Sequence, residues 1–174
     1  MKKFVLIGLL ALVGFMGNRA SAQLTIPGTG ITYRLDNETW RFLRTLEHPE
    51  GGDIYLYYYV GHVLVDVEGD TVLPFLRIYV NKHYDGDLSE LIYERYERQP
   101  YQSLKEYSQG EGLPASGGFG YIGAYTNPND QKDYQFYMTY FTDKGTSVEF
   151  RLETTKDTFE EMEFEFKDIL GSIK

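Results

Sequence analysis

Residues 134–174 read YQFYMTYFTDKGTSVEFRLETTKDTFEEMEFEFKDILGSIK, and their pattern decides most of the predicted fold. Residues 134–142 and 147–153 are rich in aromatic and β-branched side chains. The turn Asp143-Lys144-Gly145 separates them, which predicts two antiparallel strands. The residues that follow place an apolar stripe at helical spacing, formed by Phe159, Met162, Phe166, Ile169, Leu170 and Ile173. This order predicts a helix packed against an antiparallel sheet.

The upstream residues extend this pattern with more strands and a shorter helix. Residues 54–60 alternate, so Tyr55, Tyr57 and Tyr59 share one strand face. Residues 87–98 carry a helical repeat that begins with an Asp87–Glu90 capping box. Further strand patterns cover residues 31–35, 39–46, 62–67, 72–80 and 119–126.

The connections between these elements complete the predicted architecture. Residues 62–67 and 72–80 flank a turn and are expected to form a hairpin. Residues 23–30 have the composition of a loose leader, and a polar, Gly-rich stretch precedes residue 119. The predicted fold class is α+β, with a mostly antiparallel sheet of about six to seven strands covered by helices.

The first 22 residues predict a secretory signal peptide. Lys2 and Lys3 precede an apolar run over residues 4–16, and Ala20-Ser21-Ala22 forms an A-x-A site that predicts cleavage before Gln23. An apolar run of this length is too short to span a bilayer as a helix. Residues 23–174 are expected to form a single exported, soluble domain that is periplasmic or secreted.

The acidic composition and the absence of cysteine narrow the possible partners and chemistry. The formal net charge is −9, and removing Lys2, Lys3 and Arg19 with the leader makes it −12. Such a surface repels nucleic acid and anionic lipid, so neither nucleic-acid binding nor membrane insertion is expected. Without cysteine there is no disulfide, thiolate site or lipid-attachment thiol, so the protein is not expected to be a lipoprotein.

Two motifs resemble ligand sites but lack a part that their chemistry requires. Residues 118–123 satisfy G-x-G-x-x-G, yet strand and turn residues follow where a dinucleotide site needs a helix N-terminus. Asn81, His83 and Asp85 resemble the start of a calcium loop, but Ile92 stands where the bidentate glutamate belongs. We expect no cofactor and no metal site.

Nucleophilic catalysis is also poorly supported. Ser116 lies in a small-residue loop, but Pro114 occupies the position where a nucleophile elbow needs its first glycine. Pairs of carboxylates are uninformative, because 26 acidic residues always offer some pairs. We therefore expect no catalytic residue and no enzymatic activity.

The order of elements and several short stretches resemble the Mog1/PsbP-like family, including its bacterial exported members of uncharacterised function. The stretches are Thr39-Trp40-Arg41-Phe42, Phe75-Leu76-Arg77-Ile78-Tyr79-Val80, Gly112-Leu113-Pro114-Ala115 and the terminal helix. The resemblance implies an α/β/α sandwich. It also implies an accessory or partner-binding role, since one member acts on a small GTPase and another on a photosynthetic membrane complex. Residues 61–71 depart from the compact family pattern as an insertion.

Aromatic residues supply the candidate binding surface. Tyr55, Tyr57 and Tyr59 share a strand face, Tyr93 lies on the first helix, and Phe164 projects away from the apolar stripe of the terminal helix. We predict a non-catalytic accessory protein that uses these residues to bind another exported or envelope protein. The alternative is a carrier of a small sugar or apolar ligand in a Tyr-lined pocket. An exported hydrolase with two carboxyl groups in a cleft is the third hypothesis.

Overall fold

The computed structural model describes residues 21–96, 101–107 and 117–174. Within these residues the chain forms eleven strands and two helices. Their order is β1 (Ser21–Thr25), β2 (Thr32–Asp36), β3 (Trp40–Glu47), β4 (Gly52–Tyr59), β5 (Leu64–Val65), β6 (Thr71–Val72), β7 (Phe75–Asn81), α1 (Leu88–Arg95), β8 (Gln102–Tyr107), β9 (Phe119–Thr126), β10 (Asp133–Asp143), β11 (Thr146–Thr155) and α2 (Phe159–Gly171).

Seven strands form an antiparallel sheet in the order β3-β4-β7-β11-β10-β9-β8. The central strand, β11, is buried along its whole length because both of its faces are covered. α2 packs on one face of the sheet and α1 on the other. β3 and β8 are the two edge strands.

A small hairpin of β1 and β2 adds to the core on the α2 side. Thr32 and Lys174 exchange two backbone hydrogen bonds of 2.9 Å, and the Arg34 amide donates to Ser172 Oγ at 2.7 Å. Ile26, in the hairpin turn, is buried in the same core as α2. The hairpin therefore fastens the C-terminal end of the chain to the sheet.

The fold class predicted from the sequence is confirmed. The capping box of α1 is present, with the Glu90 amide donating to Asp87 Oδ1 and the Asp87 amide donating to Glu90 Oε2, both at 2.9 Å. β9, β10, β11 and α2 lie where the strand-forming residues, the turns and the apolar stripe place them. The buried side of α2 consists of Phe159, Met162, Phe166, Ile169 and Leu170.

Two local predictions are wrong, and one strand was not predicted. Residues 23–30 are not a loose leader, because Gln23–Thr25 belong to β1 and pair with β2. The predicted hairpin of residues 62–67 and 72–80 is reduced to β5 and β6, and β7 joins the main sheet instead. The strand that was not predicted is β8, at residues 102–107. Its sequence is polar because an edge strand is held by backbone hydrogen bonds to its neighbour and buries few side chains.

Residues 1–20, which contain most of the predicted signal peptide, lie outside the described residues, so cleavage stays a prediction. Ser21 and Ala22 pair with Asp36 and Leu35 in the hairpin. Cleavage before Gln23 would remove these two pairs and leave the other three pairs of β1. No helix among the described residues combines the length and the apolar character needed to cross a membrane.

Candidate interaction surface

The five predicted surface residues lie at three separate places. Tyr59 is buried, and Tyr55 and Tyr57 are half-buried on the same face of β4. Tyr93 on α1 and Phe164 on α2 are 59 % and 69 % exposed on opposite sides of the sheet. They do not form one continuous surface.

The edge strand β3 exposes apolar side chains beside two of these tyrosines. Among the described residues β3 pairs only with β4, and every β3 residue after Trp40 is exposed. Phe42, Leu43 and Leu46 are 55 %, 49 % and 38 % exposed. Phe42 shares a face with the half-buried Tyr57, Leu46 stands opposite Ile54 on the other face, and Leu43 is unpaired between Phe42 and Arg44. The exposed edge therefore offers apolar side chains on both faces of the sheet. The sequence predicted this strand but did not indicate that it lies at an edge.

The α2 side of this edge is aromatic. Phe42 stands opposite Tyr57, with the ring centroids 5.4 Å apart in an edge-to-face arrangement. The Tyr57 hydroxyl lies 3.1 Å from the hydroxyl of Tyr33, whose pKa is raised mainly by burial. Burial, followed by the nearby Asp53 carboxylate, also raises the pKa of Tyr55. Tyr33 and Tyr55 are therefore neutral hydrogen-bonding groups at physiological pH.

The α1 side of the same edge carries positive charge. Arg41 stands opposite Tyr58, and Arg44 stands opposite Leu56. The Arg41 guanidinium donates to the Asn37 carbonyl oxygen. The pairing of β3 with β4 shifts register between Phe42 and Arg44, so Leu43 is the extra residue of a β-bulge. The α2 side of β3 thus carries Phe42, and the α1 side carries Arg41, Arg44 and Leu46.

A buried charged network lies beneath α1, and sequence reasoning missed it. The Arg95 side chain of α1 donates from Nε to Glu149 Oε1 at 3.0 Å and also forms an ion pair with Glu50. Burial raises the pKa of Glu149 to about 7, against the opposing attraction of Arg95. Burial also lowers the pKa of His48, which receives a hydrogen bond from the Glu50 amide.

Arg151 forms the second half of this network. Its guanidinium lies 2.7 Å from Glu153 Oε2 and donates to the Tyr101 hydroxyl at 2.9 Å. It is also within 4.5–4.9 Å of the ring centroids of Tyr101, Tyr125 and Phe136. The signal in the sequence was the spacing Glu149-x-Arg151-x-Glu153, which puts three charges on one face of a predicted strand.

The three carboxylates that could together hold a metal ion surround the ammonium group of Lys132. Among the described residues, the carboxylate oxygens of Asp66, Glu68 and Asp70 come within 4.8 Å of one another. Lys132 Nζ contacts Asp66 and lies 2.7 Å from Asp70 Oδ2 and 3.5 Å from Glu68 Oε2. The hydrogen bond from Lys132 lowers the pKa of Asp66. The cluster is an ion-pair network that ties the β5–β6 loop to the loop before β10.

The calcium-like and Gly-rich motifs have structural explanations. The His83 amide donates to Asn81 Oδ1 and closes a polar turn after β7. A side chain at Gly118 or Gly123 would collide with an aromatic ring of β10, since a Cβ would lie 2.6 Å from Phe141 and 2.3 Å from Phe136. These glycines make room for core rings. Ser116 and residues 112–115 lie outside the described residues.

The opposite end of the sheet contains an open groove. It has a volume of about 680 Å³ and runs over the edge formed by β8, β9 and β10. Its lining includes Gln102, Ala124, Gln135, Tyr101 and Tyr125. Tyr125 stacks on Tyr134 on one side and on the Arg151 guanidinium on another, so it contributes little free ring surface. Tyr55, Tyr57, Tyr59 and Tyr93 do not line this groove.

Comparisons with known proteins bear on the fold. No protein-family model matches the chain, and no curated protein matches its sequence. The solution structure of cyanobacterial PsbP (CyanoP) from Synechocystis sp. PCC 6803 matches with a TM-score of 0.51 and 12 % identity, covering 96 % of this chain and 99 % of that chain. LpqN, involved in cell envelope biogenesis of Mycobacterium tuberculosis, gives a TM-score of 0.45 and 14 % identity over 88 % of this chain and 90 % of its own. At 12 % identity the likeness to CyanoP is one of fold alone, and it confirms that this chain has the Mog1/PsbP-like fold.

Proposed function

We propose that this protein is an exported, non-catalytic accessory protein that binds a segment of another exported or envelope protein along β3. The observation that carries the proposal is the exposed β3 edge, where Phe42, Leu43 and Leu46 are in solvent and Phe42 lies beside the half-buried Tyr57. An open edge strand offers main-chain hydrogen bonds to an added strand. The predicted signal peptide supports export, and the accessory role agrees with the family resemblance.

The register of β3 indicates what the added segment should look like. Side chains of neighbouring strands that share a face contact one another, and successive side chains point to opposite faces. An added strand would therefore place every second side chain beside Phe42 and the others beside Arg41 or Arg44. The preferred partner segment alternates apolar residues with Asp or Glu.

This preference gives a sharp binding test. Two labelled peptides as long as β3 are compared by fluorescence anisotropy, one of alternating valine and glutamate (the Val-Glu peptide) and one of alternating valine and lysine (the Val-Lys peptide). The Phe42→Ser variant is expected to bind the Val-Glu peptide about tenfold more weakly than the unchanged protein, because it loses the aromatic contact at the centre of the edge. Leu104→Ser is the matched control, since Leu104 is 48 % exposed at the bulge of the other edge strand.

The negative net charge of the protein distinguishes specific binding of the Val-Glu peptide from nonspecific electrostatic attraction. A chain of net charge −9 repels an acidic peptide at long range, so binding of the Val-Glu peptide requires a local cationic site. Equal affinity of Phe42→Ser, Leu104→Ser and the unchanged protein for the Val-Glu peptide would refute the β3 site.

A carrier of a small ligand is the second candidate function. The observation in its favour is the groove of about 680 Å³ at the β8 end of the sheet, with the amides of Gln102 and Gln135 in its lining. Because this groove and β3 lie at opposite ends of the sheet, Phe42→Ser would leave ligand capture unchanged.

An exported hydrolase gains no support from the carboxyl groups of the described residues. Glu149 is the carboxyl whose pKa is raised, which a general acid would require. It is buried against Arg95 beneath α1 and does not line the groove.

A further inference from the structure

The segment between β4 and β7 displays a second apolar surface, on elements other than β3. Val63, Val65 and Val67 are 74 %, 53 % and 87 % exposed. Leu64 and Val72, which pair with each other across the β5–β6 ribbon, are buried in the core on the α2 side. Burial alternates along residues 63–67, with Leu64 and Asp66 buried and the three valines exposed, although only Val65 lies within β5.

Polar contacts hold this ribbon against α2 and the loop before β10. The Val67 amide donates to Asp157 Oδ2 at 2.7 Å, just before α2. His62 Nε2 lies 2.8 Å from Glu161 Oε1 on α2, and its Nδ1 is hydrogen-bonded to Tyr59. The ion pairs of Lys132 hold the ribbon loop from the other side. The valines are therefore presented by an anchored element, which lowers the entropy cost of binding.

The helix beside the ribbon adds an aromatic residue to this surface. Phe164, 69 % exposed, lies three residues after Glu161 and so is its neighbour on the surface of α2. Glu161 is the residue that contacts the ribbon through His62. Phe164 therefore lies about one helical turn from the residue through which α2 contacts the ribbon.

Acidic groups surround these apolar side chains. The exposed carboxylates at the ribbon tip and in the first turns of α2 are Glu68, Asp70, Asp157, Glu160 and Glu161. Two lysines lie among them: Lys132 is engaged by three carboxylates, and Lys156 is exposed beside Asp157, so the five carboxylates still outnumber the cations of the rim. Two copies of this face would repel each other, and an anionic membrane would repel it as well. Charge complementarity selects a cationic partner.

We propose that the outer face of the β5–β6 ribbon, together with the first turns of α2, is a second docking surface for a protein segment that alternates apolar residues with Lys or Arg. It is distinct from the β3 site in its residues and in the sign of its charge. The segment's apolar side chains pack on Val63, Val65 and Val67, and its ammonium or guanidinium groups pair with Glu160 and Glu68. The accessory protein would then join two partners of opposite charge.

The Val-Lys peptide is the probe for this surface, with binding measured by fluorescence anisotropy on the full chain. Replacing Val63 and Val67 together by serine is expected to weaken its binding about tenfold, because the apolar face is lost. Glu160→Lys is expected to weaken binding several-fold more than Glu94→Lys. Glu94 is an exposed glutamate on α1, so both substitutions change the net charge of the protein equally.

Each outcome decides the question. Unchanged binding of the Val-Lys peptide by the Val63→Ser/Val67→Ser variant would overturn the proposal. Equal weakening by Glu160→Lys and Glu94→Lys would also overturn it, because the peptide would then be attracted by the net charge of the protein alone. As a control, the Val63→Ser/Val67→Ser and Glu160→Lys variants should unfold at the same temperature as the unchanged protein, which shows that they are folded. Phe42→Ser should bind the Val-Lys peptide normally, so failure here and failure of the β3 proposal are separate results.

Discussion

Replacing Arg151 with alanine is expected to lower the free energy of unfolding by about 3–5 kcal/mol, the usual cost of removing one partner of a buried ion pair. The guanidinium is almost completely buried and contacts the Glu153 carboxylate and the Tyr101 hydroxyl. Its loss leaves Glu153 buried with Arg77 as its remaining cationic partner. The rings of Tyr101, Tyr125 and Phe136 also lose a cation stacked at 4.5–4.9 Å.

Urea denaturation followed by circular dichroism measures this effect, with Lys167→Ala as the control. Lys167 forms an exposed pair with Glu163 one helical turn away, at 2.8 Å, and such pairs contribute little. If Arg151→Ala lowers stability no more than Lys167→Ala, the charged network does not hold the α1 face together.

The second large effect is a dependence of stability on pH that Glu149 controls. Burial raises the pKa of Glu149 from about 4.5 to about 7, so the folded state binds this proton more tightly than the unfolded state. The stability contributed by its protonation is fully present below about pH 4.5 and is lost as pH rises to about 7. The loss amounts to about 3 kcal/mol, from 1.36 kcal/mol for each pH unit of the difference.

Glu149→Gln removes this titration while keeping the size of the side chain. The free energy of unfolding of the variant minus that of the unchanged protein is expected to rise by about 3 kcal/mol as the pH increases from about 4 to 8. His48 contributes in the opposite sense, because its lowered pKa makes the fold more stable as pH rises towards 6.5. Both proteins contain His48, Glu50 and Arg95, so the difference between their stability curves isolates Glu149. Parallel curves would show that folding does not raise the pKa of Glu149.

The central sheet and α2 could be predicted because their signals are local. The strands at residues 119–126, 134–142 and 147–153 are marked by their own aromatic and β-branched residues and by the turns between them, so their prediction needs no knowledge of the rest of the fold. The stripe of α2 and the capping box of α1 are likewise contained in a few neighbouring residues. Each of these patterns is complete within one element, so the fold class follows from the sequence.

The binding surface could not be predicted to the same extent, because it depends on the order of the strands. Phe42 and Leu46 have the same pattern as the residues of an inner strand, and only the position of β3 at the edge exposes them. Alternation correctly put Tyr55, Tyr57 and Tyr59 on one face. It could not show that Tyr59 is buried while Tyr55 and Tyr57 stay half-exposed, since that depends on how far the packed elements extend over β4.

The buried charges escaped prediction for a related reason. Glu149 and Arg151 look like solvent-facing residues of a half-buried strand. Their partners, Arg95 on α1 and Tyr101 before β8, are distant in the sequence and come close only in the folded chain. A charged side chain of a strand can be buried in the core only when such partners are present.

Hydrogen exchange of the β3 backbone amides, measured by NMR with and without the Val-Glu peptide, tests the central claim most directly. Strand addition forms main-chain hydrogen bonds along the free edge, so amides of residues 40–47 that point away from β4 should exchange at least about tenfold more slowly with the peptide bound. Amides of β8, the other edge strand, should be unaffected. Protection that appears at β8 or on α2, with β3 exchanging at its free rate, would contradict the assignment of β3 as the binding edge.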